Sequence, residues 1–362
     1  MGCNVCGSAV QEPQISYEDE NAFKIKFKEK LDNFGEYITE EEFNSLIPKE
    51  ILDYMEKNKF RIKSNNSKDH PNYKIEPVQF KNGNIYEGNW NKDFKLDGPG
   101  KYYLKDDKVL AEGNWEDGEL KYARVFLPNG DLYEGEIKDS LYNGKGKLTT
   151  TNKDIYEGEF VDGEKTGIGK IVFSDGTIYE GNLNNGEFKG KGKMIWKNGY
   201  EYIGDFNGPL LNGVGTLKGP NGDIYEGDFE NNLFHGKGKY NFYESGNEYI
   251  GDFQYGIKKG KGTYKVKKKY IFDGNWDNDL PCGFGKLSNY DKTAILKCTW
   301  RFGKIAEEPI YESGDENVFN SIDKNIEPEK MSLSTKGLPH LDTVDKESTQ
   351  YQIGNFPSFL QE

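Results

Sequence analysis

The sequence predicts a mainly β protein: an elongated, single-layer antiparallel sheet of consecutive β-hairpins, with short N-terminal helices and an irregular C-terminal tail. Three observations predict this fold class. The 362 residues include 44 glycines, together with 24 Tyr and 22 Phe. A pentad of the form Tyr-Glu-Gly-Asx/Glx-aromatic recurs every 22 to 25 residues, and a Gly-x-Gly element follows most copies. Glycine and aromatic residues at a fixed period favour thin, turn-rich β structure over a thick aliphatic core.

The pentad starts at ten positions in the sequence. The clearest copies start at Tyr86, Tyr133, Tyr156, Tyr179, Tyr202, Tyr225 and Tyr249. Weaker copies start at Ala111, Phe272 and Leu296, and the last of these has Cys298 in place of the glycine. Side-chain alternation along a strand would place Tyr133, Gly135 and Ile137 on one face, with Glu134 and Glu136 on the other.

The Gly-x-Gly element is expected to open the returning strand of each hairpin. It lies 11 residues after most starts, at Gly144/Gly146, Gly167/Gly169, Gly190/Gly192, Gly213/Gly215, Gly236/Gly238, Gly260/Gly262 and Gly283/Gly285. The first repeat carries it one residue later, at Gly98/Gly100, and the second has Tyr122 and Arg124 in the corresponding places. We expect an aromatic ring from a neighbouring repeat to fill the space beside these glycines.

Asx-Gly pairs predict the turns that close one hairpin onto the next. They are Asn129-Gly130, Asp175-Gly176, Asn198-Gly199 and Asn221-Gly222. A single hairpin is not stable in water, whereas ten in a row can stack as a solenoid. At about 4.8 Å per strand, that array would be about 95 Å long.

The combination of Tyr156-Glu157-Gly158-Glu159-Phe160, the pair Gly167/Gly169 and the turn Asp175-Gly176 resembles the MORN (membrane occupation and recognition nexus) repeat. The resemblance covers about residues 80–305. It implies a long, twisted, single-layer antiparallel sheet, and it leaves a homodimer open, since arrays of this family often pair. Members of the family do not share one function, so the resemblance alone does not assign one.

Composition divides the chain into four segments. We expect an acylated flexible N-terminus at 1–22, a helical cap at 23–77, about ten repeats at 78–305 and an acidic, largely irregular tail at 306–362. Lys and Arg minus Asp and Glu give −4 for residues 1–77, −1 for 78–305 and −8 for 306–362, which sum to the net −13. This acidity excludes nucleic acid as an expected partner, since phosphate binding needs a basic surface.

The N-terminus, Met1-Gly2-Cys3-Asn4-Val5-Cys6, predicts lipidation. Gly2 is the expected myristate acceptor, although Cys6 stands where the usual pattern has Ser or Thr. Cys3 and Cys6 are the expected palmitate acceptors, and two acyl chains hold a protein at a membrane where one is marginal. The alternatives are a zinc half-site at Cys3 and Cys6 and an unmodified terminus.

Residues 24–63 have the apolar spacing of helices, with Phe23, Phe27 and Leu31 on one face. Thr39 is the expected N-cap of a helix from Glu40 to Lys59, which Pro48 would break or restart. Residues 37–43 also resemble the second half of an EF-hand loop. Leu31 and Glu36 occupy the places of an oxygen ligand and the turn glycine, so a helical cap on the first hairpin is the preferred interpretation.

Seven lysines in the eighth repeat interrupt the otherwise mixed charge pattern: Lys258, Lys259, Lys261, Lys265, Lys267, Lys268 and Lys269. They predict a surface patch for anionic lipid or an acidic protein, with a solvated face as the plain alternative. The acidic tail is one candidate to dock there. That tail would otherwise be solvated, run back along the sheet, or bind a partner.

No sequence pattern predicts catalysis, a cofactor or a metal. The Gly-x-Gly-Lys stretches lack the spacing of a phosphate-binding loop, and His70, His235 and His340 lie outside metal-binding patterns. Carboxylates such as Glu87, Glu134, Glu157, Glu180 and Glu226 recur at one register, which indicates a structural, solvent-facing role. Only 57 residues follow the repeats, fewer than a typical domain.

Together these features predict a non-catalytic scaffold on the cytoplasmic face of a plasma, cortical or ciliary membrane. It would present its array to cytoskeletal or cortical proteins. The resemblance supports this, because cortical and ciliary MORN proteins of protists tether cytoskeleton to membrane. The alternative is an axonemal component, similar to a radial-spoke head protein, without lipid anchoring.

Overall fold

A computed structural model describes residues 35–49, 52–53, 73–313 and 328–331. These residues contain a helix, α1 (Glu40–Leu46), and 24 strands, and residues 49, 52 and 53 are helical again after Pro48, where a restart was predicted. They divide into two units between Glu164 and Lys165. The repeated pentads form one strand of each hairpin and the Gly-x-Gly segments form the other, because both carry alternating buried and exposed side chains.

Unit 1 contains the first ten strands. From β4 onwards, each strand pairs antiparallel with the next, while β1 pairs with β3 and β2 with β4. The strands are β1 (Gly35–Tyr37), β2 (Tyr73–Lys74), β3 (Val78–Phe80), β4 (Ile85–Trp90), β5 (Leu96–Leu104), β6 (Val109–Glu116), β7 (Glu119–Phe126), β8 (Leu132–Lys138), β9 (Leu141–Thr149) and β10 (Ile155–Val161).

Unit 2 begins one residue into β11 and also consists of consecutive antiparallel hairpins. Its last long strand, β22, pairs with β21, β23 and β24. The strands are β11 (Glu164–Val172), β12 (Ile178–Asn184), β13 (Glu187–Ile195), β14 (Glu201–Asn207), β15 (Leu210–Lys218), β16 (Ile224–Glu230), β17 (Leu233–Asn241), β18 (Glu248–Gln254), β19 (Ile257–Val266), β20 (Tyr270–Asp277), β21 (Leu280–Asn289), β22 (Ile295–Arg301), β23 (Lys304–Ile305) and β24 (Ile310–Ser313). The predicted fold class is therefore confirmed.

The hairpin register places the pentad glycine opposite the second glycine of Gly-x-Gly. Gly204 pairs with Gly215, for example, and Gly227 with Gly238. The first repeat keeps this pairing despite its extra residue, through Gly88 and Gly100. The second repeat pairs Gly113 with Ala123, so a small residue holds the register there.

An aromatic ring of the same hairpin covers these glycine pairs: it is a tyrosine in most repeats and Phe272 at the pair Gly274/Gly285. A Cβ placed on Gly135 would lie 2.5 Å from the Tyr133 hydroxyl, and one on Gly146 would lie 2.6 Å from the same ring. The Tyr133 hydroxyl donates a hydrogen bond to the Glu136 carbonyl at 2.6 Å. The expectation of a ring from a neighbouring repeat is therefore wrong. The tyrosine two residues before the glycine lies on the same face, and its ring runs along its own strand.

Contacts between repeats come from the aromatic residue at the end of the pentad. The Phe229 ring packs edge-on against Tyr225 of its own repeat and against Tyr202 of the preceding one, with centroids 5.1 Å apart in both cases. Phe206 makes the same two contacts, with Tyr202 at 5.1 Å and Tyr179 at 5.3 Å. This geometry is favourable for aromatic pairs and links each hairpin to the one before it.

The Asx-Gly turns have the predicted conformation. Gly130, Gly176, Gly199 and Gly222 have φ angles of 89°, 93°, 87° and 90°, a region that glycine enters without steric cost. Each turn is closed by two backbone hydrogen bonds, such as Trp196 N to Tyr200 O and Gly199 N to Trp196 O, both 2.9 Å.

Helix α1 begins at the predicted cap. The Thr39 hydroxyl accepts from the Glu42 amide, and the Glu42 carboxylate accepts from the Thr39 amide, which forms a capping box. The helix ends at Leu46, and Ile47 is extended ahead of Pro48. Phe43 and Ile47 pack with Ile85, Leu110 and others in an apolar cluster of unit 1.

The helical prediction for the N-terminal region is wrong at β1, where Gly35–Tyr37 pairs with β3 instead. The predicted helix around Phe23, and the predicted continuation from residue 54 to Lys59, lie outside the described residues. Within the described part of the chain, no helix is both long enough and apolar enough to span a bilayer.

Candidate functional site

Three of the recurring carboxylates form ion pairs with basic side chains of adjacent strands. Lys101 lies 3.3 Å from Glu87, Arg124 lies 3.2 Å from Glu134, and Lys147 lies 3.1 Å from Glu157. Such cross-strand pairs support strand register and contribute little individually when exposed. This arrangement agrees with the structural role predicted for the repeated glutamates.

The seven lysines of the eighth repeat do not form one surface patch. Lys258 is only 1% exposed. The Lys265 ammonium binds Glu248 at 2.7 Å, and Lys259 lies 3.9 Å from Asp277. Lys259, Lys261, Lys267, Lys268 and Lys269 are exposed. The prediction that Lys258 is a surface residue is wrong, because alternation along β19 directs its side chain to the aromatic face.

Lys258 occupies a position that most repeats fill with a large apolar residue. Nine residues after the start of the pentad, other repeats have Tyr142, Phe188, Leu211 or Phe234, while Lys165 and Pro281 are further exceptions. Phe234 stacks on its own Tyr225 with centroids 3.9 Å apart. The Lys258 ammonium instead lies 5.6 Å from the ring centroids of Phe242 and Tyr249 and 5.8 Å from that of Trp276. These are cation–π distances.

Burial lowers the pKa of Lys258 from its ordinary value of 10.5 to about 8, although the negative charges of Asp279 and Glu329 oppose this shift. The buried ammonium therefore loses its proton near pH 8, well below the pH at which an exposed lysine does so. Asp279 also accepts a hydrogen bond from the Lys258 backbone amide at 2.8 Å.

A separate described segment of the C-terminal tail, 328–331, reaches this lysine. The Ser245 hydroxyl donates to the Glu329 carboxylate at 2.7 Å, and the Asn247 side-chain amide donates to it at 3.2 Å. The Glu329 amide donates to the Tyr264 hydroxyl at 3.3 Å, and the Lys258 ammonium donates to the Glu329 carbonyl at 3.4 Å. We call these four residues, Ser245, Asn247, Lys258 and Tyr264, the Glu329 site.

Sequence reasoning left open whether the tail runs back along the sheet, and it did not identify Glu329. No local pattern marks a contact between residues more than 60 positions apart. The position of Lys258 in the repeat was a usable signal, because it puts a charge where the aromatic face needs an apolar side chain.

A Lys258→Met substitution is expected to remove one pH dependence of stability. Because the pKa of Lys258 is lower in the folded state than in the unfolded state, unfolding takes up a proton between about pH 8 and 10.5. The wild type should therefore gain stability relative to Lys258→Met across that window, by up to about 3 kcal/mol. Urea unfolding at several pH values measures this difference. Lys261→Met, at an exposed position on the same strand, is the control. If the stability difference between the wild type and Lys258→Met did not change with pH, the lowered pKa of Lys258 would be contradicted.

The other candidate residues have ordinary structural environments or lie outside the described residues. His235 Nδ1 lies 3.2 Å from Glu230. Burial raises the pKa of the Cys298 thiol to about 11, which keeps it protonated. Among the described residues, no group of three or more His, Cys, Asp or Glu side chains is placed to hold a metal ion. Gly2, Cys3, Cys6, His70 and His340 lie outside the described residues.

Comparison with solved structures finds weakly similar chains. They are the G-box domain of the microcephaly protein CPAP (12% identity, TM-score 0.30, 56% of this chain and 94% of that chain) and the TCP domain of SAS-4 from Drosophila melanogaster in complex with a proline-rich motif of Ana2 (15%, 0.28, 46% and 92%). A third is the TCP10 domain of Danio rerio CPAP with a peptide of STIL (11%, 0.25, 64% and 99%). At these TM-scores the similarity assigns no function to the chain.

A search of curated proteins finds no match to the sequence. The model of the MORN repeat matches residues 86–108, 133–155, 156–178, 179–199, 202–224, 225–245, 249–265 and 272–293. Each matched range begins at the tyrosine or phenylalanine of a pentad, and the weaker copies at Ala111 and Leu296 are not among them. The chain is therefore a repeat protein with eight MORN repeats between residues 86 and 293.

Proposed function

We propose that this protein is a non-catalytic scaffold that binds other proteins through its MORN repeats and is anchored to a membrane by acyl chains at its N-terminus. The observation that carries the scaffold role is the repetition itself. In each unit, successive hairpins place the same residue types on the same face, with aromatic residues buried on one side and paired charges on the other. Such a surface suits partner binding. Because contacts between neighbouring repeats stabilise the array, its surface side chains are left available for a partner.

Gly2, Cys3 and Cys6 support the membrane anchor. Myristate on Gly2 and palmitate on one or both cysteines would provide the two signals that long membrane residence requires. The exposed lysines of the turn after β19, Lys267, Lys268 and Lys269, together with Lys259 and Lys261, are the remaining candidates for contact with anionic headgroups. The proposed location is the cytoplasmic face of a cortical, plasma or ciliary membrane, where the partners are cytoskeletal proteins and a second copy of the chain is a further candidate.

Membrane fractionation of cells that express Gly2→Ala tests the anchor. The wild type is expected in the membrane pellet, and Gly2→Ala is expected in the soluble fraction because loss of myristate also prevents stable palmitoylation. Cys3→Ser/Cys6→Ser should give intermediate, salt-sensitive binding, since one acyl chain alone is marginal. Asn4→Ala, which keeps all three acceptors, is the matched control. A Gly2→Ala variant that stays in the pellet would contradict the anchor and favour an axonemal or soluble scaffold.

A further inference from the structure

Two departures from the repeat pattern meet at Glu329. The first is Lys258, at a position where most repeats have an aromatic ring or a leucine and where Lys165 is the other lysine. The second is the turn before β18, which, like the turn from Asn289 to Ala294, is one residue longer than most of its counterparts. It is closed by Phe242 N to Asn247 O and Gly246 N to Phe242 O, whereas the corresponding turn at Trp196 spans one residue fewer. Ser245 and Asn247 lie in this longer turn. Ser245, Asn247 and Lys258 lie 84, 82 and 71 positions before Glu329, and all three donate hydrogen bonds to that one residue.

The Glu329 site forms hydrogen bonds with three separate groups of the segment that it holds. Ser245 and Asn247 donate to the side-chain carboxylate, Tyr264 accepts from the backbone amide, and Lys258 donates to the backbone carbonyl. The two backbone contacts fit any extended residue. The two donors to the carboxylate favour an acidic side chain over a neutral one, because hydrogen bonds to a charged group are about twice as strong as neutral ones.

The charge of the site favours an acidic ligand. The Lys258 ammonium is almost completely buried against three aromatic rings. A buried cation is costly without a negative or carbonyl partner, and the Glu329 segment supplies both. On the ligand side, Glu329 itself is exposed and Pro328 and Met331 are half-buried, so the segment lies at the surface of unit 2, where another chain can replace it.

We propose that the Glu329 site is a binding site for an extended, glutamate-containing segment of a partner protein, and that residues 328–331 occupy it as an intramolecular competitor. This inference rests on the protein-binding role proposed above and identifies one of its sites. A tethered segment acts at an effective concentration of the order of millimolar. Acidic peptides that bind weakly therefore do not displace it from the site, whereas peptides that bind tightly do.

Fluorescence anisotropy with a labelled synthetic peptide of residues 326–333 tests the proposal on the full chain. Glu329→Ala is expected to bind the peptide about tenfold more tightly than the wild type, because the competitor has lost its carboxylate contacts. Adding Asn247→Ala to Glu329→Ala should reverse that gain by about tenfold. A peptide with glutamine in place of the glutamate that corresponds to Glu329 should also bind about tenfold more weakly. Glu244→Ala, an exposed neighbour in the same turn, is the matched control and should change nothing.

Hydrogen exchange at the Glu329 amide separates the possible failures. This amide is expected to be protected in the wild type and to lose protection in Asn247→Ala. If Asn247→Ala loses protection as expected but Glu329→Ala binds no peptide, the contact is only an intramolecular structural contact and the proposal is overturned. Equal binding by Glu329→Ala and the wild type, or unprotected Glu329 in the wild type, would also overturn it. None of these readouts involves the N-terminus, so failure of the membrane anchor would leave this result standing.

Discussion

Gly135→Val is expected to destabilise its hairpin by at least about 3 kcal/mol. The first atom of the new side chain would lie 2.5 Å from the Tyr133 hydroxyl, 2.6 Å from Gly146 Cα and 2.7 Å from the Lys145 carbonyl. Two of these atoms are backbone, so neither a rotamer change nor a small shift of the ring relieves the clash. Denaturant unfolding, with hydrogen exchange across β8 and β9, measures the loss.

The control for this prediction is Gly208→Asn. Gly208 has a φ angle of 56°, which asparagine tolerates, and no atom lies within 4 Å of a Cβ at this position. We expect this substitution to lower the stability by less than about 1 kcal/mol. That result would show that glycine is required beneath the tyrosine ring but not at every position where the chain has one. Unchanged unfolding of Gly135→Val would show that the ring does not cover this pair in solution.

Phe229→Ala is expected to cost about 3–5 kcal/mol, because it removes a buried ring that contacts two successive repeats. Phe229 is 4% exposed and meets the rings of Tyr225 and Tyr202 edge-on. Its loss should therefore uncouple the hairpin β16–β17 from the hairpin before it. Hydrogen exchange should show faster opening on both sides of the site, since stability in repeat proteins depends on contacts between neighbours.

Phe229→Leu and Val214→Ala are the comparisons. Leucine keeps most of the apolar volume and should cost markedly less than alanine. Val214 is 58% exposed on the opposite face, so its truncation should change stability by less than about 0.5 kcal/mol. If Phe229→Ala affected only its own hairpin, the pentad aromatic would not be the coupling residue between repeats.

Local patterns predicted most of the fold. The period of 22 to 25 residues and the Asx-Gly turns predicted the hairpins and their order, because turn chemistry and alternation act over a few residues. The source of the ring above the glycines was not predicted correctly. Two glycines create space for a ring, but the sequence does not say whether that ring comes from Tyr133 or from the next repeat.

The candidate site was predicted only in part. Counting lysines grouped Lys258 with its exposed neighbours, whereas its register in β19 buries it among aromatic rings. The tail contact depends on Ser245, Asn247 and Tyr264 being brought together by the sheet, and no sequence spacing reports this. The acyl acceptors Gly2, Cys3 and Cys6 stay a prediction from the N-terminal motif.

The most direct test of the proposed membrane scaffold is the intact mass of the N-terminal peptide from protein isolated from its native cells. The proposal predicts loss of Met1, a myristoyl group on Gly2 and at least one palmitoyl group, removable by hydroxylamine, on Cys3 or Cys6. A free or merely acetylated terminus would contradict the membrane anchor and would leave a protein-binding array of MORN repeats without lipid attachment.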